Sequence, residues 1–180
     1  MKKVMMLAVF SLALALSAAG KSKSIVLYFS WSEAENTRIL AEEIARNTHA
    51  VVERIIPETP YPRKYAEILK MGRSEIKQKA SRPIKALKND LKNFDTVFVG
   101  SPIWFGTYAP PVRSFLQKND LSGKKVYFFC THGKGGPGVF FKEAALLAPR
   151  SVIGKGFNCY GIHVKKIAPK VTEWLKKDVK

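Results

Sequence analysis

The chain has 180 residues, of which 46% are hydrophobic and 25% are charged. These proportions fit one domain with a hydrophobic core of its own, and two cysteines exclude a small scaffold held together by disulfides. The net charge is +17, but the lysines are spread along the chain without the interleaved aromatic residues of a single-strand binder, so we expect no specific nucleic-acid partner.

The first residues have the pattern of an export signal. Lys2 and Lys3 precede an apolar run from Val4 to Leu16, and the small residues Ser17, Ala18 and Ala19 follow it. At about 1.5 Å per helical residue, the run is too short to cross a hydrocarbon layer of about 30 Å. We therefore predict a signal peptide over residues 1–19 and a periplasmic or extracellular protein.

A buried strand, a polar turn and a helix are predicted next. Residues 25–29 are β-branched, aliphatic or aromatic, and an amphipathic pattern begins near Asn36. The hydroxyl groups of the turn belong to Ser30, Ser32 and Thr37. Together with free backbone N–H groups at the positive end of the helix dipole, they form a candidate phosphate site. The alternative is an ordinary turn in which Ser32 or Asn36 caps the helix, and Ser32 with Glu35 fits a capping box.

Strands and helices alternate along the rest of the chain. Further strands are predicted at residues 50–56, 94–100, 125–131 and 157–164. Further helices are predicted at residues 65–79, 111–116, 139–147 and 167–175, the first of them as a lightly packed insert. This alternation predicts an open parallel sheet with right-handed crossovers.

Two residue types give only weak signals. Cys130 and Cys159 lie in apolar runs, which favours buried free thiols, and the alternative is a disulfide between them in an oxidising compartment. The three histidines share no ligand spacing, so no metal site is predicted.

The loops at the carboxyl ends of the strands are the expected ligand site of such a sheet. Three loops leave these ends, after Phe29, Gly100 and Cys130. The first is rich in hydroxyl groups, the second carries Trp104 and Phe105 beside Gly106, and the third is rich in glycine. This set suits flavin mononucleotide (FMN), whose phosphate needs donors, whose ring needs an aromatic face and whose pyrimidine edge needs close backbone. Alternatively, Trp104 belongs to the core and the glycines form a flexible turn.

Several segments together resemble the flavodoxin family. They are Phe29-Ser-Trp-Ser with Asn36-Thr-Arg, Pro57-x-x-Pro-Tyr-Pro, Val99-Gly-Ser-Pro-Ile-Trp-Phe-Gly with Pro110-Pro, and Phe129-Cys-Thr-x-Gly. The chain is most similar to the flavodoxin-like group with a Pro-Tyr-Pro segment after the second strand. The resemblance covers residues 24–180, which we interpret as one domain.

The resemblance implies a three-layer α/β/α fold, a five-stranded parallel sheet in the order 2-1-3-4-5, and a non-covalent FMN that carries one or two electrons. The implied FMN contacts are Ser30, Trp31, Ser32, Asn36 and Thr37 in the first loop, Pro102, Ile103, Trp104, Phe105 and Gly106 in the second, and Thr131, His132, Gly133, Gly135 and Gly136 in the third. The flavin supplies the chemistry, so no catalytic side chain is implied.

Two features depart from the family pattern. The usual first loop resembles Ser-x-Ser-Gly-Asn-Thr, whereas here Glu33-Ala-Glu35 replaces the glycine. A carboxylate a few ångströms from a phosphate dianion costs about 1 kcal/mol even in water, so Glu33 and Glu35 either point away or weaken or abolish FMN binding. His132 and Lys134 stand where many flavodoxins carry acidic or aromatic residues, which leaves the outer stacking partner unassigned, with Tyr108 as one candidate.

The predicted function is that of an exported, FMN-binding electron-transfer protein. One alternative is a flavin-dependent NAD(P)H quinone reductase on the same fold, and another is a binding module that has lost the cofactor. We expect a monomer whose basic surface meets an acidic redox protein or the anionic surface of a membrane.

Overall fold

The computed structural model describes residues 23–62 and 64–179. The predicted signal peptide lies outside the described residues. The strands are β1 (Ser24–Tyr28), β2 (Val51–Arg54), β3 (Thr96–Trp104), β4 (Thr107–Tyr108), β5 (Lys125–His132), β6 (Val152–Ile153) and β7 (Phe157–Tyr160). The helices are α1 (Asn36–Thr48), α2 (Tyr65–Lys77), α3 (Pro110–Lys118), α4 (Phe140–Leu146) and α5 (Ala168–Asp178), and two 3₁₀ turns cover Leu91–Asn93 and Gly161–Lys166.

The sheet has five parallel positions. β2, β1, β3 and β5 lie side by side in that order, and the fifth position is filled by β6 beside the start of β5 and by β7 beside its end. β4 folds back antiparallel on the end of β3. When the parallel strands alone are numbered in chain order, with β5 as the fourth and β6 and β7 together as the fifth, the order is 2-1-3-4-5. This confirms the predicted fold.

Both faces of the sheet are covered by helices. In β3, Val97 and Val99 pack into one hydrophobic cluster together with residues of α3 and α4. Phe98, between them, packs into a second cluster together with residues of α1 and α5. Burial on both faces explains why the central strands are apolar without alternation.

The fifth strand differs from the prediction. β7 ends at Tyr160 and a 3₁₀ turn follows, where the apolar pattern had predicted a strand to residue 164. Gly154 and Gly156 separate β6 from β7, and a Cβ at these glycines would lie 2.0 Å from the Tyr127 ring and 2.4 Å from the Phe141 ring. The chain therefore passes these rings so closely that a side chain at either position would displace them.

Helix α2 is lightly packed, as predicted. Among its described residues, Gly72 alone is buried. The helix ends at Lys77, two residues before the predicted end, and Lys79 has a left-handed φ of 50°. That conformation is incompatible with a continued right-handed helix.

The two cysteines are buried as free thiols, as predicted. Burial raises the pKa of both the Cys130 and the Cys159 thiol. Within the described part of the chain, no helix has the length and apolarity that crossing a bilayer requires.

Candidate functional site

A cleft of about 430 Å³ opens at the carboxyl ends of the strands. It falls in the range of about 300–1,000 Å³ that small-molecule pockets occupy. The carboxyl ends of β3, β5 and β7, the residues that follow β1, β5 and β7, the start of α1 and one residue of α2 line it. None of its described lining residues is an aspartate, glutamate, lysine or arginine. The donors of the first loop and of α1 that line it are therefore hydroxyl and amide groups.

The first loop lines this cleft and leads into α1. Glu35 precedes the helix in a left-handed conformation, with φ 47°, and no side chain caps the helix start. The alternative of a cap by Ser32 or Asn36, including the capping box with Glu35, is therefore wrong. The first N–H groups of α1 have no partner within the helix, so they remain available to a ligand.

The left-handed turn at Glu35 also explains the departure from the family pattern. A position with φ near +50° favours glycine, and glycine precedes Asn-Thr in the usual loop. Here a glutamate adopts the same backbone conformation immediately before Asn36. The loop thus keeps a glycine-type turn without a glycine.

Neither carboxylate of the first loop lines the cleft. Glu33 is exposed. Glu35 Oε1 accepts a hydrogen bond of 3.0 Å from Arg54, and its Oε2 lies 3.6 Å from Arg38 Nε. Arg54 also donates to the carbonyl oxygen of Ser30. Glu35 is thus paired with two guanidinium groups, which reduces its repulsion of an anion in the cleft.

Two contacts join the first loop to the far side of the cleft. The hydroxyl oxygens of Thr37 and Thr131 are 2.8 Å apart and share a buried hydrogen bond. A Cβ at Gly161 would lie 2.6 Å from Asn36 Nδ2. The amide of Asn36 therefore sits against bare backbone, and a larger residue at position 161 would displace it.

Aromatic rings also line the cleft. Trp104 lies edge-on to Phe29 and Tyr61, with ring centroids 5.8 and 5.0 Å apart. Trp31 stacks on Phe29 at 6.4 Å and donates its Nε1 hydrogen to the carbonyl oxygen of Pro62, 3.3 Å away. Both tryptophans line the cleft while packing against the core. Trp104 therefore serves the core and the cleft at once, and the two interpretations of it do not exclude each other.

The third loop contributes its first residues only. Thr131, His132 and Gly133 line the cleft, whereas Gly135 and Gly136 do not. His132 Nε2 lies 3.0 Å from Asn158 Oδ1, and its ring is parallel to that of Tyr160 at 6.2 Å. These contacts fix the ring at the edge of the cleft.

Most of the residues that the sequence indicated come together in this cleft. They are Ser30, Trp31, Ser32, Asn36, Thr37, Pro102, Ile103, Trp104, Thr131, His132 and Gly133. Phe105 and Gly106 lie outside it, because they form the turn between β3 and β4 with φ of 48° and 82°. Tyr108 is wrong as a stacking partner, since it is 1% exposed and packs on Phe140.

Four lining residues escaped the sequence analysis: Ile68, Tyr160, Gly161 and Ile162. Tyr160 ends β7, and Gly161 and Ile162 follow it, where an apolar pattern predicted a continued strand. Tyr160 followed by Gly161 at the end of a strand is the one signal that could have indicated a fourth loop. No sequence signal indicates Ile68, because the segment that forms α2 is predicted only as a lightly packed insert.

A family model described as flavodoxin matches residues 23–177 of the chain. The fold is similar to that of a candidate flavoprotein from Bacteroides uniformis, with 24% identity, a TM-score of 0.73 and coverage of 87% of this chain and 99% of that one. A candidate flavoprotein from Bacteroides eggerthii is 23% identical, with a TM-score of 0.69 and coverage of 83% of this chain and 98% of that one. A flavoprotein from Lactobacillus acidophilus, solved in complex with FMN, is 21% identical, with a TM-score of 0.63 and coverage of 81% of this chain and 97% of that one. No curated protein sequence matches the chain significantly.

Proposed function

The chain belongs to the flavodoxin family, and from this premise we propose that it binds FMN in the cleft, carries electrons and acts outside the cytoplasm. One observation carries the proposal: hydroxyl and amide donors and aromatic rings at the carboxyl ends of four strands line a single cleft. The phosphate ester of FMN needs hydrogen-bond donors, and its planar ring needs an aromatic surface. The complex of the Lactobacillus acidophilus flavoprotein with FMN supports this ligand.

The residues present fit FMN. The side chains of Ser30, Ser32 and Asn36 make no hydrogen bond to any other described residue, so they can donate to a phosphate together with the first N–H groups of α1. Bare backbone at Gly133, where a Cβ would meet nothing within 4 Å, leaves room for the edge of a ring. Glu35, held by Arg54 and Arg38, does not line the cleft.

Each part of the cleft has a distinct role. Ser30, Ser32, Asn36 and Thr37 would hold the phosphate; Trp31 and Trp104 would bound the ring on the apolar side; Thr131, His132 and Gly133 would line its other edge. Bound FMN supplies the redox chemistry by accepting and releasing one or two electrons. The protein orients the cofactor and limits the access of water to it.

The location outside the cytoplasm rests on the sequence of residues 1–19, where two lysines precede an apolar run and small residues. Expression of the full chain in a bacterial host tests it. We expect the periplasmic fraction to contain a form that begins near Gly20. A full-length form confined to the cytoplasm would contradict export and leave FMN binding unaffected.

A visible absorption spectrum of the purified protein, recorded before and after addition of FMN, tests the cofactor. We expect a bound-flavin spectrum, whereas a protein that stays colourless with excess FMN is a binding module without cofactor. Bleaching of the bound flavin by NAD(P)H would identify the chain as a reductase. Reduction by dithionite or a protein donor alone supports an electron carrier.

A matched pair of substitutions tests where the phosphate binds. Ser32 lines the cleft, whereas Ala34, in the same loop, does not, and both residues are exposed. Ser32→Asp should weaken FMN binding by about tenfold or more, because a carboxylate then faces the phosphate. Ala34→Asp adds the same charge and should change it by less than about threefold. Riboflavin, which lacks the phosphate, should bind both variants equally; a loss equal to that of FMN would contradict the assignment.

A further inference from the structure

The outer face of α2 carries a basic groove beside the cleft. The groove has a volume of about 510 Å³ and is lined by Leu69, Lys70, Arg73, Ser74 and Lys77. At about 100° per residue, these five positions fall within one arc of the helix. We call this surface, together with the neighbouring Phe105, the α2 groove.

The α2 groove and the cleft are lined by residues that are neighbours in the chain. Ile68 lines the cleft and Leu69, the next residue, lines the groove. On the facing hairpin, Trp104 lines the cleft and Phe105 is 43% exposed beside α2, with the Arg73 guanidinium 5.3 Å from the centre of its ring. A partner seated on the groove would therefore lie close to Trp104, which lines the cleft.

The charge of the α2 groove is of one sign. Three of its lining residues are cations and none is a carboxylate. The two carboxylates of α2 are engaged elsewhere, because Glu75 pairs with Arg82 at 2.5 Å and Glu67 lies 3.7 Å from Lys64. A surface with three uncompensated cations attracts a partner with an acidic patch and raises its association rate at low salt.

The backbone at Phe105 supports a role for its side chain. Its φ of 48° is left-handed, which is uncommon for a bulky residue and is a strained conformation. Gly106, the next residue, also has a positive φ, of 82°. A turn with two positive φ values is usually made by Asn-Gly. Here an exposed aromatic residue stands at the strained position, where aromatic side chains are typical of interfaces.

On the proposed function that FMN occupies the cleft, we propose that the α2 groove docks an acidic electron-transfer protein that exchanges electrons with the chain. A membrane surface fits the groove less well. Leu69 and Met71 are the large apolar residues exposed on the described part of α2 and lie about 160° apart around the helix, so they form no continuous apolar stripe. The cations also line a concavity, and transient redox complexes need only a small interface.

The test is the rate at which the FMN-loaded, dithionite-reduced chain reduces two haem proteins of opposite charge, the acidic cytochrome b5 and the basic cytochrome c. We expect the rate with cytochrome b5 to fall as ionic strength rises and the rate with cytochrome c to rise. The double variant Lys70→Glu/Lys77→Glu should slow the reduction of cytochrome b5 at low ionic strength by about tenfold or more.

The matched control is Lys176→Glu/Lys177→Glu, on the exposed side of α5 and on the other face of the sheet. It changes the net charge equally and should slow the reaction by less than about threefold. Equal slowing by the two pairs would show that only net charge matters and would overturn the docking site. If the reversed charges perturb the flavin spectrum, Lys70→Gln/Lys77→Gln gives the same test.

Two other outcomes separate the alternatives. Loss of binding to phosphatidylglycerol vesicles in Lys70→Glu/Lys77→Glu, with an unchanged rate with cytochrome b5, would assign the groove to a membrane and overturn the proposal. A wild-type chain that takes up no FMN would overturn both the proposed function and the docking site. A chain that takes up FMN but shows no groove effect would overturn the docking site alone.

Discussion

Helices α1 and α2 have the same length and border the same cleft, yet they are fixed in different ways. Each has thirteen residues. Six residues of α1 are buried, whereas Gly72 alone is buried among the described residues of α2. α1 is thus held by the core and presents its N-terminal N–H groups at a fixed place, while α2 lies on the surface and offers its outer face to partners.

Polar contacts hold α2 in place, whereas burial in the core holds α1 in place. The hydroxyl of Tyr61 donates a 2.6 Å hydrogen bond to Glu75, which also pairs with Arg82 at 2.5 Å. Arg82 lies 3.9 Å from the centre of the Tyr61 ring. Burial, followed by the bond to Glu75, raises the pKa of the Tyr61 hydroxyl, so this link stays intact over the ordinary pH range. A helix fastened in this way can be altered on its outside without damage to the fold.

The largest effect is expected from matched leucine truncations in the two helices. Leu40 in α1 is 0% exposed and Leu69 in α2 is 38% exposed. Leu40→Ala should lower the free energy of unfolding by about 2–5 kcal/mol, because it leaves a cavity in the core. Leu69→Ala should change it by less than about 0.5 kcal/mol. Urea denaturation measures both, and similar losses would contradict the difference between the helices.

Alkaline pH should weaken the core on both faces of the sheet. Burial raises the pKa of the Cys130 and Cys159 thiols and of the Tyr28 hydroxyl. The folded state keeps these protons where the unfolded chain releases them. Stability should therefore be unaffected by these groups below pH about 8.5 and fall above it, by up to about 1.4 kcal/mol per pH unit for each proton retained.

Urea denaturation at pH 7 and pH 10 measures this loss. Cys130→Ala should reduce the slope of stability against pH, since it removes one of the retained protons. An unchanged slope in that variant would show that the thiol does not contribute.

A substitution at Gly72 tests whether the contact between α2 and Trp104 affects FMN binding in the cleft. A Cβ at Gly72 would lie 3.0 Å from the Trp104 ring, so Gly72→Leu must push the helix or the ring aside. We expect FMN to bind about tenfold more weakly, with a much smaller loss of stability than in Leu40→Ala. Ala66→Leu, on the exposed side of the same helix, is the control and should leave FMN binding within about twofold. Equal effects would mean that Trp104 is not held in place by α2.

The smallest effect concerns the start of α1. Glu35→Gly keeps the left-handed turn and removes a carboxylate, so FMN should bind about threefold more tightly, a small gain because Arg54 and Arg38 already pair with this carboxylate. Glu33→Gly removes an exposed charge and should have less effect. Fluorescence titration with FMN measures both. A large loss of affinity in Glu35→Gly would instead mean that its ion pairs hold the loop in shape.

The sequence was sufficient for the sheet and for much of the cleft. Uninterrupted apolar runs such as Ile25–Phe29 report burial on both faces, and that burial is a property of the run itself. Because the carboxyl ends of parallel strands share one edge, the loops after β1, β3 and β5 had to meet there. The length of β7 was predicted wrongly because its apolar pattern continues into the 3₁₀ turn.

By itself, the sequence determined which segments are buried and at which edge the polar and aromatic loops emerge. Only the tertiary structure decided that Glu35 turns left-handed and pairs with Arg54, that Gly72 seats α2 on Trp104, and that the chain leaves the sheet at Gly161 to line the cleft. The physical reason is the separation along the chain of the residues that determine each feature. Apolar periodicity is local and can be recognised within a few residues, whereas these features depend on close contacts between residues that are far apart in the chain.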